Sequence, residues 1–332
     1  THIIRGEEWI PSVPLHVVMI DALGFTRPTK IHMPLLRNAD KSKVSKRRNP
    51  TSLLWYRDAG IIPEGMLNFL GLMGFSLGED TEVFSFSDFV AAFKPEKIAL
   101  GGPVFDLRKL EWCNGEHMRR LEDADLLKRL LSHFETTKIA GSAPLDAQEA
   151  LIREDANILW PDHADFSKQE YSQKFRVQTL LRNRAILEHA DTWLAGHAVI
   201  ERLIPLLKTR LHTLSEAADY LPPFFEELPA LPLADLAEIK KFEKAEQVAA
   251  LEAAKAVIEA QDFAAEGADA SMEAALREMV EAKGWKVGPV FMSLRLAALR
   301  AKISPPLFES MLVIGKDWTL KRVSDAIAQL GA

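Results

Sequence analysis

One cysteine, Cys113, stands in 332 residues. A lone cysteine excludes a disulfide framework and a cysteine-rich zinc site, and it fits a reducing compartment, so a cytoplasmic protein without zinc is expected. No run of about 18 apolar residues occurs, so no membrane-spanning helix is expected. The opening residues, Thr1-His2-Ile3-Ile4-Arg5, lack the succession of a signal peptide and lack a starting methionine. They read as the interior of a strand, and the chain as a fragment. No internal repeat is found. Strand signals nearly vanish after Glu116, which leaves helix as the only regular structure the patterning supports there.

What is present is ample. Hydrophobic residues make up 48% and charged residues 27%, enough to bury sizeable cores and too apolar for disorder. The length predicts two or three domains. The formal net charge of −6 neither supports nor excludes RNA, because basic residues can gather on one face of an acidic protein. They do gather at one place: Lys41-Ser42-Lys43-Val44-Ser45-Lys46-Arg47-Arg48, ended by the turn signal Asn49-Pro50. Taken alone, this is a solvated basic loop, a localisation tract, or a mobile clamp for phosphates. Lysine suits the third role as a compact point charge on a flexible stem.

Around this stretch the chain changes character. Thr1–Ile4 reads as a strand, Arg5–Glu8 as a loop, Leu15–Leu23 as a helix stopped by Gly24, and Pro28–Leu36 as extended. Strand, loop, helix, strand is the pattern of a parallel α/β sheet. Ligands bind such sheets at the carboxyl ends of strands, which places Arg5 and Glu8 near a site. Helices follow at 51–60 and 64–71, an edge strand at Phe84-Ser85-Phe86, and a helix over 88–93 capped by Ser87. A turn at Gly101-Gly102-Pro103 precedes a segment over 105–114. Beyond it the periodicity predicts helices over 121–133, 174–189, 192–213 (kinked or split by Pro205), 234–260, 290–302 and 307–314. Residues 139–161 read as a loop-rich insertion and 262–270 as a linker. Trp9, Trp55, Trp112 and Trp160 read as core side chains rather than base-stacking platforms, and His2 and His32 as structural.

His-Ile-Ile-Arg-Gly-Glu-Glu-Trp (2–9), His-Met-Pro-Leu-Leu (32–36), Lys-Ser-Lys-Val-Ser-Lys-Arg (41–47), Asn-Phe-Leu-Gly-Leu-Met-Gly-Phe (68–75) and Gly-Gly-Pro-Val-Phe-Asp (101–106) occur in order at close spacing. Together they resemble bacterial glutamyl-tRNA synthetases, class I enzymes whose second signature is Lys-Met-Ser-Lys-Ser or a form ending in Arg. Val44 at the second position is a mild departure. The first signature, His-x-Gly-His, is absent: none of the nine histidines is followed by Gly-His at that offset. The resemblance is dense over 1–115 and sparser beyond. It implies a mainly α protein: the end of a Rossmann-type catalytic domain (1–40), an α/β stem-contact region carrying the signature loop (41–115), and two all-α anticodon-binding subdomains (116–225 and 226–332).

The resemblance also implies chemistry. Lys43 and Lys46 would hold the ATP phosphates and offset charge as pyrophosphate leaves, with Ser45 as a lesser nucleotide contact and Arg47 as either a phosphate ligand or a contact to the inside of the tRNA bend. The backbone of Leu36 would lie beside adenine. Glu8 would take the substrate ammonium and a nucleotide hydroxyl. Arg5 would read the glutamate side chain through two parallel hydrogen bonds; without the resemblance, Arg5 reads as a surface ion pair with Glu7 or Glu8. Arg210 aligns with an anticodon-reading arginine, and Arg182, Arg184, Arg202, Lys208 and Lys316 are further phosphate or anticodon candidates. The implied substrates are ATP with Mg2+, L-glutamate and tRNA(Glu), the implied state a monomer. Two alternatives stay open: a tRNA-binding module without chemistry, and a glutaminyl-tRNA synthetase-like enzyme, against which the helical character of 116–332 argues.

Overall fold

The computed structural model describes residues 1–38, 42, 44, 52–78, 81–99, 101–155, 158–160, 166–225, 239 and 242–331. It divides into two compact units, the first comprising Thr1–Leu121, Ala143–Asn183 and His212–Ser215, the second Glu122–Ser142, Arg184–Leu211 and Glu216–Ala332. Helix dominates both, as expected from the sequence.

The first unit opens with β1 (His2–Gly6), a 3-10 turn (Glu7–Ser12), α1 (Val13–Ala22) and β2 (Thr29–Met33). The strands pair in parallel, with Arg5 opposite His32 and Gly6 opposite Met33. Gly24, at φ +70, ends the helical stretch in the left-handed region that glycine adopts without strain. No residue of 1–38 is buried, although parallel sheets ordinarily have both faces covered. Leu15, Val18, Leu23 and Phe25 are each more than 60% exposed, so this segment presents a bare apolar face.

The core of the unit lies further along, among α2 (Leu53–Asp58), α3 (Pro63–Leu72) and α5 (Leu107–Arg120). Tyr56, Met66, Phe69, Leu110, Cys113 and Phe175 meet there, with Phe105 edge-on to Phe69 at 5.2 Å. Burial pushes the Cys113 thiol up to about 11, so it packs as a small apolar group. Two asparagines fasten this core. Asn114 Oδ1 accepts from Ile62 N at 2.8 Å, and its Nδ2 donates to His212 O at 2.6 Å. Asn68 Oδ1 accepts from Phe84 N at 3.0 Å and meets His117 Nε2 at 2.8 Å. Since Asn68 Nδ2 donates to Glu82 O, that oxygen is the acceptor and His117 Nε2 the donor. Gly60 sits at φ +85, and a Cβ there would fall 2.5 Å from Leu214 N, so only glycine makes this turn.

In the second unit α6 (Asp123–Ala140) packs on α9 (His197–Lys208). Buried Leu126, Leu130, Phe134, Ile200, Leu203 and Leu207 recur every three or four residues, one face of each helix. α7 (Ser142–Arg153) lies mainly in the first unit, and α8 (Tyr171–Ala195) contributes its first half to that unit and its second half to this one. After α10 (Pro222–Phe225) come α11 (Lys244–Ala260), α12 (Ala268–Ala282), α13 (Val287–Leu299), α14 (Leu307–Ile314) and α15 (Lys316–Gly331). They close round Leu251, Ile258, Met272, Leu276, Leu294 and Val323. Cationic side chains satisfy the helix ends: Lys316 Nζ donates to Glu259 O at 2.7 Å and to Gln261 O at 2.9 Å, and Arg322 Nη1 to Ala298 O at 3.0 Å.

Several local expectations give way. Phe84-Ser85-Phe86 is no strand: Phe84 is buried and Phe86 exposed, whereas a strand would put both on one face. Ser85, not Ser87, caps α4 (Phe86–Ala92), in a reciprocal box with Asp88. Pro205 does not split the helix; it lies within α9, where Pro205 and Glu201, whose carbonyl loses its helical partner, are both exposed and open to water. The break falls at Gly196, against which Phe225 packs too closely for any Cβ. Residues 142–153, read as part of a loop-rich insertion, form α7 behind Gly141 at φ +70. The linker over 262–270 runs directly into α12, and neither α12 nor α15 was anticipated.

Candidate active site

Arg5 is the penultimate residue of β1, with only Gly6 between it and the 3-10 turn, at the carboxyl end of a parallel strand. The ion pair with Glu7 or Glu8 does not form. Glu7 turns to the neighbouring segment, where Leu35 N donates to its Oε1 at 3.4 Å. Glu8 is exposed and folds its carboxylate back over Gly6, whose missing side chain leaves the room. Arg5 is instead half-buried among uncharged groups. Its Nε donates to His32 Nε2 at 3.4 Å, its Nη1 lies 3.2 Å from His16 Nδ1, and its guanidinium stands 5.4 Å over the Trp9 ring. Nη2 is shielded from solvent and has no partner among the described residues.

His32, expected to be structural, thus accepts from Arg5, and His16, which the sequence reading did not single out, stands beside the same guanidinium. His2 bonds only its neighbour Thr1, at 3.1 Å. Trp9, expected in the core, is 48% exposed and covers the guanidinium. Trp55 and Trp112 do pack at the core's margin, and Trp160 carries the Arg153 guanidinium at 4.0 Å.

Next to Arg5 runs the segment that leads into the basic stretch. Its residues alternate in allegiance. Arg37 N donates to Pro103 O at 3.0 Å and Arg37 O accepts from Phe105 N at 2.8 Å, forming a parallel bridge with Val104. Gly102 packs against Arg37, where a Cβ would come within 2.8 Å of Nε. On the other side Leu36 O accepts from Val44 N at 3.3 Å and Asn38 N donates to Ser42 O at 2.8 Å. Asn38 Nδ2 also reaches Ser42 Oγ at 3.0 Å. Residues 36–38 thus join the Gly-Gly-Pro-Val-Phe motif to the root of the basic loop. Lys43, Ser45, Lys46 and Arg47 lie outside the described residues. Among the described residues no three His, Cys, Asp or Glu side chains converge as a metal cage would need.

In the second unit Arg210 follows the last turn of α9. Its Nη1 donates to Leu206 O at 3.1 Å and Thr209 Oγ1 at 3.3 Å, which leaves the rest of the half-buried guanidinium for other contacts. A second arginine, missed in the sequence, stands in its field. Arg295 Nη1 donates to Ser304 Oγ and to Pro305 O at 3.0 Å. Burial, and after it the charge of Arg210, push the Arg295 guanidinium below its ordinary range. Three of the sequence candidates are spent on the protein itself: Arg202 on Leu312 O at 3.0 Å, Lys208 on Asp123 at 2.8 Å, and Lys316 on the end of α11. No described helix is long and apolar enough to cross a membrane.

Comparison with known proteins agrees with this division. Residues 1–112 match the family described as tRNA synthetases class I (E and Q), catalytic domain, and residues 184–327 match the anticodon binding domain family. The chain is 35% identical over 332 residues to the glutamate–tRNA ligase of Acidothermus cellulolyticus, covering 99% of this chain and 55% of that protein. It is 34% identical over 331 residues to that of Thermus thermophilus, covering 99% of this chain and 57% of the relative. The chain thus spans about half the length of the curated relatives it matches. Glutamate–tRNA ligase structures from Elizabethkingia meningosepticum and Elizabethkingia anophelis share the fold, with TM-scores of 0.64 and 0.63 at 22% and 23% identity over 99% of this chain and 57% of each. With both matched regions in order along one chain, residues 1–112 belong to the class I (E and Q) tRNA synthetase catalytic-domain family and residues 184–327 to the anticodon binding domain family, and similarity to glutamate–tRNA ligases runs the whole length of the chain.

Proposed function

We propose that the natural protein containing this chain joins L-glutamate to tRNA(Glu) at the expense of ATP, through a glutamyl-adenylate. The observation that carries the reading is Arg5: a cation at a strand's carboxyl end, held by uncharged groups, with an unpartnered Nη2. A donor so placed suits a substrate carboxylate. Arg5 binds the side-chain carboxylate of glutamate, and Glu8, whose loop shares the strand end, takes the ammonium and a nucleotide hydroxyl. The glutamate α-carboxylate attacks the α-phosphorus of ATP and pyrophosphate leaves; the terminal ribose hydroxyl of the tRNA then takes the acyl group. Lys43 and Lys46 hold the triphosphate, Ser45 and Arg47 assist, and the backbone at Leu36, hydrogen-bonded to the loop root, lies beside adenine. Mg2+ travels with the phosphates, held by them and by water rather than by a protein cage.

Arg210, with Arg295 beside it, reads the anticodon from the helical unit. Residues 1–40, 41–115, 116–225 and 226–332 divide the work as catalytic remnant, stem contact and two anticodon subdomains. The working state is a cytoplasmic monomer.

The test is glutamate-dependent ATP–pyrophosphate exchange in the natural protein. Lys46→Ala lowers the exchange rate about a hundredfold, near 3 kcal/mol, while ATP binding changes little, because the charge it offsets develops as pyrophosphate departs. An unchanged rate would return 41–48 to a solvated basic run. The 332-residue chain alone, without His-x-Gly-His, binds tRNA but performs no exchange; exchange by it would overturn that part of the reading.

A further inference from the structure

We infer that His16 and His32 are positioning residues that set the specificity of the Arg5 pocket, by acting as uncharged acceptors that aim the guanidinium without neutralising it. The inference rests on the reading of Arg5 as the ligand of the substrate carboxylate, and deepens it.

The argument begins with what arginine can do. A guanidinium only donates, so any ring nitrogen facing it must be a bare acceptor. His16 Nδ1, 3.2 Å from Nη1, is therefore unprotonated and carries its hydrogen on Nε2. His32 Nε2, 3.4 Å from Nε, is likewise bare, which puts the hydrogen of that ring on Nδ1. The two histidines are thus neutral and of opposite tautomer. They arrive from different elements, His16 from α1 and His32 from β2, where the parallel register sets it opposite Arg5. With Trp9 over the guanidinium, two of its three nitrogens are engaged and its plane is covered. Nη2, without a partner, is what remains.

The choice of acceptor matters. A carboxylate in either histidine's place would orient Arg5 equally well and cancel its charge. A second carboxylate, from the substrate, would then enter against a neighbouring negative charge, and an uncharged amide would suffer no such penalty. Neutral acceptors leave the full positive charge to be met by the ligand. Leaving two Nη2 hydrogens buried and unbonded is costly; an oxygen of either side chain could accept from them, but only a carboxylate also brings the charge that meets the uncancelled guanidinium, and an amide does not. Specificity for glutamate over glutamine thereby depends on groups that need not touch the substrate.

The experiment uses the 332-residue chain labelled with nitrogen-15. Two-bond proton–nitrogen correlation spectra read each tautomer directly: the hydrogen on Nε2 for His16 and on Nδ1 for His32 is expected. Titration with L-glutamate, and separately L-glutamine, is followed on the Arg5 Nε resonance, which moves with glutamate only. His16→Phe and His32→Phe remove an acceptor and weaken glutamate about tenfold, the effect of losing one hydrogen bond that orients a charged group. His16→Asn and His32→Gln, whose amide oxygens fall near the lost ring nitrogens, restore most of the affinity. Wrong tautomers, or Asn and Gln variants as weak as the Phe variants, overturn the positioning role. Correct tautomers with no response of Arg5 to glutamate overturn instead the substrate reading on which it rests.

Discussion

Asn114 offers the sharpest test of what holds the first unit together. The side chain is wholly buried and ties α5 to two distant pieces of chain, the turn at Gly60–Ile62 and the segment at His212. Asn114→Ala strands the Ile62 N–H and the His212 carbonyl. Each buried, unmet polar group costs about 1–3 kcal/mol, so a loss of about 3 kcal/mol is expected after local relaxation. Against a domain stability of about 5–15 kcal/mol this is a large fraction. Asn114→Asp is more informative. The carboxylate still accepts from Ile62, but its second oxygen faces the carbonyl oxygens of His212 and Gly60, at the places where Nδ2 donated over 2.6 Å and 3.4 Å. Burial and the two carbonyls penalise the charged form and raise the folded-state pKa of this carboxyl. The folded state then binds more protons than the unfolded one, so the variant's stability falls as pH rises through that range.

The assay is urea denaturation of wild type, Asn114→Ala and Asn114→Asp at several pH values, with amide exchange of residues 60–65 followed by mass spectrometry. Comparing each variant with wild type at the same pH cancels titrations common to all three. The Asp variant should approach wild type in acid, where its protonated oxygen donates to His212, and fall below the Ala variant at neutral pH. Exchange at Ile62 should quicken in the Ala variant and stay slow in the Asp variant under acid conditions. An Asp deficit independent of pH would refute the buried-clip argument.

Burial, ahead of the Arg120 charge, lowers the His117 pKa, so its contribution is full above the unfolded value of about 6.5 and is lost as pH falls through the folded one. His117→Gln, which keeps a donor for Asn68 Oδ1, should flatten the acid limb of the stability profile; an unchanged limb would assign it elsewhere. Gly60→Ala should cost more than about 2 kcal/mol in chemical denaturation, since left-handed strain adds to a collision with the Leu214 backbone, and a near-neutral result would refute the turn geometry. In tRNA binding, Arg210→Ala should lower discrimination among tRNAs more than it lowers bulk RNA affinity, and Arg295→Ala should do the same, because the two guanidinium groups share one field; equal loss for every RNA would make both phosphate contacts.

The elements legible in the sequence are those whose evidence is local. Gly24 and Gly60 stop helices where expected, Pro63 opens one, and the strand–helix–strand order of residues 1–36 stands in the structure. What escaped depends on contacts between segments far apart. Phe84-Ser85-Phe86 alternates like a strand, yet Phe84 is drawn inward by Asn68 and its Phe89 neighbour while Phe86 begins a helix. Pro205 carries the strongest local signal to break a helix and does not, because the carbonyl it abandons faces water; Gly196 carries a weaker signal and does, because Phe225 packs there. Helix α15 lacks a strong apolar stripe at its start, where Lys316 and Asp317 lead, and its inward face shows only as Thr319, Val323, Ala326 and Leu330 close on the bundle.

The proposed site divides the same way. Arg5, Glu8 and Leu36 could be put forward from the sequence because strand ends and short motifs single them out, whatever the rest of the chain does. The part of His16 and His32 could not, since they stand 11 and 27 residues from Arg5; His16 lies in no motif, and His32 opens one that says nothing of Arg5. Their roles exist only once β2 pairs with β1 in the observed register and α1 lies against the pair. A register slip of one residue would turn His32 to the opposite face and leave Arg5 with one acceptor fewer. The register of a two-stranded parallel sheet whose residues are nowhere fully buried is therefore itself a determinant of how Arg5 is held. The charge of Arg5 can be read from the sequence, but the direction of its guanidinium is set by strand pairing, and both enter the proposal that it binds a carboxylate.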